Sequence, residues 1–509
     1  MFKLTDAQVL AAAAQERLVN IVSSPGSGKT TIAAERYGYL RYSYSDLRGV
    51  LGLTFNRAAA IELRNRINAR WGEVCIASPH RVITFDQLHV ELLHHLLEEG
   101  RIFWPGRLTK LDVRDDYCGI KGVRSLKADS YIRYASLDDA NAVVSKGRKI
   151  AKGDYGIGTV DDHRATLSNG IVSHGDVRTI LESAMRLNEM RKFASDWLCE
   201  NHRSLIIDEV YDANSLDLCM VYLAAESGLS VTLIGDPWQA LYKWRGAQPE
   251  VVKELFEMTT EEFIAYAQPE SFRFSGDQMP KLAAKLRAGQ GVVLPEISTE
   301  EVDVVLARNW MQLWMAGNNV LPLAFQTVHN STDAAMNLLL DVATRARFGV
   351  PSFGRENAIA KLKIDRNMLQ ARQVEVLGSV LMKLQGGCSA KDVLKELRDS
   401  VKVFGARQPS RLKEENEIQV ETQLDRLRLR LTSAPVVPGL TIFQAKGREW
   451  DRVGVVLSRE QLDSLASGLR ELDEEHCIIY VALTRARRAC GCLVDRTGGL
   501  GSDELLLGI

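Results

Sequence analysis

Three short apolar runs mark the first half of the chain, and each ends in residues of a different chemical character. "LVNIVS" (18–23) predicts a buried strand, and it passes through the glycine-containing turn "SPGSGK" into the helical pattern "TTIAAERYGYL". Leu205, Ile206 and Ile207 predict a second buried strand, closed by Asp208 and Glu209. Val231 to Ile234 predict a third, closed by Gly235-Asp236 and followed by the aromatic and cationic stretch "GDPWQALYKWRGA". From "STDAAMNLLLDVATRARFGV" to "ENEIQVETQLDRLRLRLTS" the apolar positions recur at helical spacing among charges, which predicts a helical region. Strands of this kind alternating with helices predict an α/β protein. No repeat of short period is visible.

Length and composition change this picture little. At 509 residues the chain is long for one core, so roughly two to four domains are expected. Charged residues at 25% and hydrophobic ones at 46% are the balance of an ordinary globular protein. A net charge of −1 argues neither for nor against nucleic acid, because a neutral whole can hold a basic groove. The eight cysteines are scattered, and only Cys490 and Cys492 lie close, a poor spacing for a disulfide or a zinc pair. Reduced thiols and a cytoplasmic protein are therefore expected. The first residues, "MFKLTDAQVLAAAAQERL", lack the apolar run of a signal peptide, and no run approaches membrane-spanning length. No membrane partner is expected.

The turn after the first run carries chemistry. Gly26 and Gly28 let backbone N–H groups close around phosphate oxygens, with a helix N-terminus behind them. Ser24, Pro25, Ser27 and Thr31 complete the loop, Lys29 is placed to reach β and γ phosphates, and Thr30 to ligate Mg²⁺. The strict pattern has Gly at position 23, where this chain has Ser. Asp208 and Glu209 stand at the strand end where ligands bind in doubly wound sheets. Asp208 suits Mg²⁺ and Glu209 suits polarising a water, a pair that favours hydrolysis over transfer. A phosphate loop alone fits kinases, switches and motors equally, and aromatics near a strand end are most often core or lid residues.

Taken together these residues resemble the UvrD/Rep-type superfamily 1 helicases, with seven motifs in family order across almost the whole chain. "LTDAQ" resembles the N-terminal glutamine motif, which implies that Gln8 reads the adenine edge. "TFNRAAAIELRNRI" and "VITFDQLHVELL" resemble the segments that touch single-stranded DNA, implying contacts from Thr54, Phe55, Thr84 and Phe85. "GDPWQALYKWRGA" resembles the third motif: Gln239 would sense the γ-phosphate and Trp244 would stack on a base. Tyr242 and Arg245 either flank the strand or pack, and Trp238 reads as a lid. "ESFRFS" supplies Arg273, "LTIFQAKGREW" resembles the fifth motif and "IIYVALTRARR" the sixth. The resemblance implies that Arg273 and Arg485 reach the γ-phosphate from a second motor domain and that Glu449 bonds the ribose.

The implied fold is two RecA-like parallel-sheet motor domains, each with a largely helical insertion. The first is expected over 1–95 and 196–270 with its insertion at 96–195, the second over 271–330 and 431–509 with a reduced helical insertion at 331–430. The first insertion holds the basic, glycine-dotted stretch 121–160, which reads equally as a DNA-phosphate path or a solvated loop. The chain departs from the family at Phe443 (usually His), Asp86 ("TFD" for "TFH"), Tyr211 (usually Gln) and Ser271 (usually Asn). Asp86 on a DNA path would repel phosphates. The few residues after the sixth motif (489–509) lead to the expectation of no fused nuclease.

The resemblance implies an ATP-dependent, Mg²⁺-requiring DNA helicase moving 3′ to 5′ on single-stranded DNA and acting on tailed duplexes. Two rivals stand beside it. One is a DNA-sensing ATPase that regulates a partner nuclease and unwinds little alone, as in the compact helicase subunits of Gabija-type antiviral defence; it or a loading protein would then be a partner. The other, a catalytically silent scaffold, is opposed by intact Lys29, Asp208, Glu209, Gln239 and Arg485.

Overall fold

The computed structural model describes residues 4–115, 117, 131–149 and 159–493. Of the basic stretch 121–160, positions 121–130 and 150–158 lie outside the described residues. The chain divides into two compact units, Met1–Phe272 and Arg273–Ile509.

The strands of the first unit are β1 (Leu18–Ser23), β2 (Gly49–Thr54), β3 (Arg81–Thr84), then β4 (Asp112–Arg114), β5 (Tyr131–Leu137), β6 (Val143–Lys149) and β7 (Ile171–Ser173), and finally β8 (His202–Asp208), β9 (Ser230–Gly235) and β10 (Ile264–Gln268). Six of them form a parallel sheet in the order β10-β1-β9-β8-β2-β3. Strands buried on both faces need near-continuous apolar sequence, and β2 and β8 are buried at every position. The helices that follow these strands are α2 (Lys29–Ser43), α3 (Arg57–Trp71), α4 (Phe85–Glu98) and α8 (Ser215–Glu226), with α1 (Asp6–Ala12) ahead of the sheet. The insertion adds α5 (Val160–Ser168), α6 (His174–Ala184) and α7 (Asn188–Asn201), the antiparallel hairpin β5–β6 and the parallel pair β4–β7.

Packing is set by a few close approaches. Gly38 admits the Trp71 indole, since a β-carbon there would stand 2.1 Å from the ring. The indole N–H donates to the Ala34 carbonyl at 3.1 Å, which locks α3 onto α2. Arg36 is fully buried, yet its guanidinium donates to Thr232 Oγ1 (3.1 Å) and to the carbonyls of Ala12 and Ala14. Such satisfaction is what lets a cation sit inside.

The second unit carries the parallel sheet β11 (Glu296–Ile297), β12 (Val304–Ala307), β13 (Val320–Pro322), β14 (Val437–Thr441), β15 (Trp450–Val456) and β16 (Ala486–Leu493), in the order β11-β16-β15-β12-β14-β13. Between β13 and β14 lies a helical insertion that includes Ser331–Phe348, Arg366–Gln385, Ala390–Ser400 and Glu414–Thr432, around a core containing Leu338, Leu377, Leu394 and Leu424. Asp341, fully buried there, accepts from Arg345 (2.9 Å), Arg355 (3.0 Å), Gln373 (2.7 Å) and the Ser352 N–H (2.8 Å). Arg430 joins the last insertion helix to the sheet by donating to the carbonyls of Val320 (2.6 Å) and Trp314 (2.7 Å). Among the described residues the cysteines are free, and no helix is long and apolar enough to cross a membrane.

Histidine burial makes the first sheet acid-sensitive. His80 Nδ1 accepts from the Val50 N–H at 3.0 Å, a role only the neutral ring can fill, and burial lowers its pKa to about 4. The folded value lies below the unfolded one, so this contribution is full near pH 7 and is lost as pH falls from about 6.5 towards 4. Urea unfolding at pH 7 and pH 5 should show the loss. In His80→Gln, which keeps an acceptor without a titrating group, the loss should be smaller by about 1–2 kcal/mol.

Candidate functional site

In a parallel sheet every strand delivers its C-terminal end to the same edge, so β1, β2, β3, β8 and β9 bring five segments there together. After β1, Gly26 (φ 75°) and Gly28 (φ 85°) take the left-handed conformation that starts α2 at Lys29. The loop carbonyls are engaged from elsewhere in the unit. Ser271 Oγ donates to Pro25 O (2.6 Å), the Phe272 N–H to Gly26 O (3.0 Å) and Gln8 Nε2 to Ser27 O (2.9 Å). The amide edge of the loop is what remains for an anion. Gln8 also accepts from the Thr5 N–H (3.0 Å) in a capping box, so one end of its amide is anchored at the start of α1 while the other holds the loop.

After β8, Asp208 is buried beside this loop, and its Oδ1 has no hydrogen-bond partner among the described residues. Burial first, then the Glu209 carboxylate, pushes the Asp208 carboxyl above the usual range, while Lys29 and the Thr30 hydroxyl act in the opposite direction. Lys29 Nζ lies 3.9 Å from Glu209 Oε1. Glu209 holds a left-handed backbone (φ 62°, ψ 43°), a conformation that costs a non-glycine residue on the order of 1–3 kcal/mol and is concentrated at functional sites. An orphaned buried carboxylate oxygen beside a threonine hydroxyl is a hard-oxygen donor set, which suits Mg²⁺. Lys29, Thr30, Asp208 and Glu209 are thus brought together, and Ser24, Pro25, Ser27 and Thr31 lie in or beside the same loop. Arg66 of α3 donates to Thr31 Oγ1 at 2.9 Å.

After β9, Asp236 is wholly buried and accepts from Gln239 Nε2 (2.7 Å) and the Trp238 N–H (3.2 Å). Trp238 is buried with it. The Tyr211 ring packs on Gly235, where a β-carbon would meet it at 2.7 Å. Trp244, by contrast, is 59% exposed. Its ring lies 6.5 Å from that of Tyr242, and the Arg245 guanidinium lies 4.7 Å from the Trp244 ring and 5.4 Å from the Tyr242 ring. The three form an aromatic and cationic face at the same edge.

After β2 and β3, Thr54 is buried and donates to Asn56 O (3.2 Å), while Thr84 caps α4 by accepting from the Gln87 N–H (3.3 Å). Phe55 and the buried Phe85 stack at 5.1 Å. Asp86 stands in the first turn of α4, where the helix dipole favours an acid.

In the second unit, Arg273 donates to Glu449 Oε2 (2.8 Å) and to Thr484 O (2.9 Å). Arg485 is 1% exposed and donates to Val481 O (3.2 Å). Phe443 lies half-buried in the short helix Ile442–Ala445 after β14. Three residues that shape the first unit's site lie in or beside the motifs but had no such role read from the sequence: Asp236, Ser271 as a clamp, and Arg66. For Asp236 the polar residue closing an apolar run was a usable signal. The other two act through partners distant in sequence.

A model of the UvrD/REP helicase N-terminal domain matches residues 4–146 and 124–259, and one of the UvrD-like helicase C-terminal domain matches 358–490. The chain belongs to the UvrD/REP helicase family. Curated relatives include a probable DNA helicase of Mycoplasma pneumoniae, 26% identical over 265 residues (48% of this chain, 48% of the relative). The ATP-dependent DNA helicase PcrA of Bacillus subtilis is 24% identical over 238 residues (45% and 32%). The ATP-dependent DNA helicase Rep of Buchnera aphidicola is 23% identical over 250 residues (46% and 36%). The chain thus spans at most about half the length of these UvrD/REP relatives.

Gly28 gives the loop its sharpest test. A β-carbon there would combine a φ of 85° with a 3.0 Å approach to Gln8 Nε2. Gly28→Ala should cost about 1–2 kcal/mol in urea unfolding and weaken binding of a fluorescent ATP analogue. Wild-type nucleotide binding in a folded Gly28→Ala would show that the loop is not the site.

Proposed function

We propose that this UvrD/REP-family chain is an ATP-dependent translocase on single-stranded DNA and a DNA helicase. The carrying observation is the shared sheet edge: the Lys29, Thr30, Asp208 and Glu209 cluster and the exposed Trp244 leave adjacent parallel strands of one unit. The names of the relatives, DNA helicases throughout, support the same class.

In this reading the loop amides of 24–28 and Lys29 bind the β and γ phosphates, and Glu209 orients the attacking water and takes its proton. Thr30 and Asp208 would hold Mg²⁺, whose chemistry is to neutralise charge on the phosphate oxygens. Gln239, held by Asp236, senses the γ-phosphate at one end of a segment whose other end carries Trp244. Arg273 and Arg485 from the second unit keep the role the resemblance gives them, stabilising charge on the γ-phosphate, while Gln8 and Glu449 take the adenine and ribose. For Gln8 this requires exchanging its present bonds to Thr5 and Ser27. Thr54, Phe55, Thr84 and Phe85 support the DNA-facing side, with Tyr242 beside Trp244. The domain limits given above, with insertions at 96–195 and 331–430, belong to the same proposal, as does a cytoplasmic location. Movement from 3′ to 5′ rests on the family resemblance alone.

Lys29→Ala should abolish ATP hydrolysis with little change in the thermal midpoint, because Lys29 opens α2 outside the apolar core and its ammonium faces Glu209 at 3.9 Å rather than a packed cluster. Normal turnover in that variant would remove it from the site. Trp244→Ala should weaken single-stranded DNA binding by roughly 1–3 kcal/mol, the worth of one stacked base, with little change in DNA-free nucleotide binding. Unchanged translocation would return Trp244 to packing. Strand displacement on duplexes with a 3′ or a 5′ tail tests direction, and unwinding only from the 5′ tail would contradict the assigned polarity. Turnover on DNA without displacement from either tail would favour the role of regulating a partner nuclease.

A further inference from the structure

Between α3 and the start of α4, the first unit has a cavity of about 460 Å³, the size range of small-ligand sites. Ala60, Ile61, Val90 and Val113 give it apolar walls. Arg57, at the start of α3 and highly exposed, and His174, from the insertion, also line it, at 3.9 Å and 4.0 Å from Asp115 Oδ1. Apolar walls with a cation at the rim suit a nucleoside and its phosphate.

The polar groups inside differ in what they have to offer. Arg64 is committed to the Val82 carbonyl (2.9 Å), and Thr84 to capping α4. Because Thr84 already caps the helix, the carboxylate of Asp86 is not needed for that task. Among the described residues it makes no hydrogen bond or ion pair, and it faces the cavity. An ionised carboxylate only accepts hydrogen bonds. Guanine presents two adjacent donors, N1–H and the 2-amino group, which match its two oxygens. Cytosine and adenine present one amino group. Thymine presents a single N–H between two carbonyls that would oppose the carboxylate.

We propose that this cavity is a base-reading pocket on the DNA track, in which Asp86 accepts from amino-bearing bases, guanine foremost, and disfavours thymine. Arg57 holds the phosphate of the same nucleotide, exchanging Asp115 for it. The pocket rests on the single-stranded DNA track proposed above, and it gives Asp86 a use that phosphate contact does not.

Fluorescence anisotropy with a dT tract, a dA tract and an alternating dG–dT tract of equal length tests this on the full chain. The wild type should bind the dG–dT tract at least about fivefold more tightly than dT, the lower end of what one good bidentate contact contributes. Asp86→Ala should bring that ratio close to one. Asp86→Asn, which keeps the shape of the side chain but adds a donor, should shift preference towards dA, since carboxamides pair with adenine. Equal binding of dT and dG–dT by the wild type, or a preference retained in Asp86→Ala, overturns the pocket and leaves the track standing. Failure to bind any tract overturns the track and the pocket with it.

Discussion

The parallel sheet of the first unit imposes one constraint on which the rest depends: all its strands end on the same side. β1 ends in the phosphate-type loop, β8 in two carboxylates, β9 in Asp236 and the aromatic segment, β2 and β3 in Thr54-Phe55 and Thr84-Phe85. None of these segments needs a long excursion to meet the others. Satisfying the strands' own hydrogen bonds within the sheet leaves their ends free to carry groups that are expensive to bury.

That expense is visible in how the buried ionisable groups are treated. Arg36, Asp341 and Arg430 are buried with several partners each and read as structural. Asp208 is buried with an oxygen left over, and Glu209 beside it is held in a backbone conformation that side chains avoid. An unpartnered buried carboxylate oxygen and a left-handed backbone stand side by side next to Lys29, and both costs are of the kind that a bound ligand offsets. Gln239 is handled differently again: its amide is fixed by Asp236 at the start of the segment that ends in Trp244.

Much of this was legible from the chain alone, because the informative signals were local. The run 18–23, the loop to Thr31, the acids after 205–207 and the aromatic segment after 231–234 are each contiguous, and they sit where strand and turn chemistry put them. What was not legible depends on pairs far apart in sequence. Tyr211 stands where the resemblance leads one to expect Gln, and its fit is seen only once Gly235 is found beneath the ring. Ser271 gains its meaning from the Pro25 carbonyl, 246 positions away. The β5–β6 hairpin carries basic and polar residues on much of its length, so its pattern does not alternate cleanly enough to announce two strands. Asp86 was readable as a charge in an unfavourable place, but not as the open acceptor of a cavity formed by four separate segments.

The central claim is that one sheet edge couples nucleotide hydrolysis to a single-stranded track. Steady-state ATP hydrolysis by the purified chain in Mg²⁺, with and without single-stranded DNA, tests it most directly. The account predicts turnover that is low alone and rises by at least about tenfold with DNA, a change of roughly 1.4 kcal/mol in barrier. Turnover that is the same with and without DNA would contradict it.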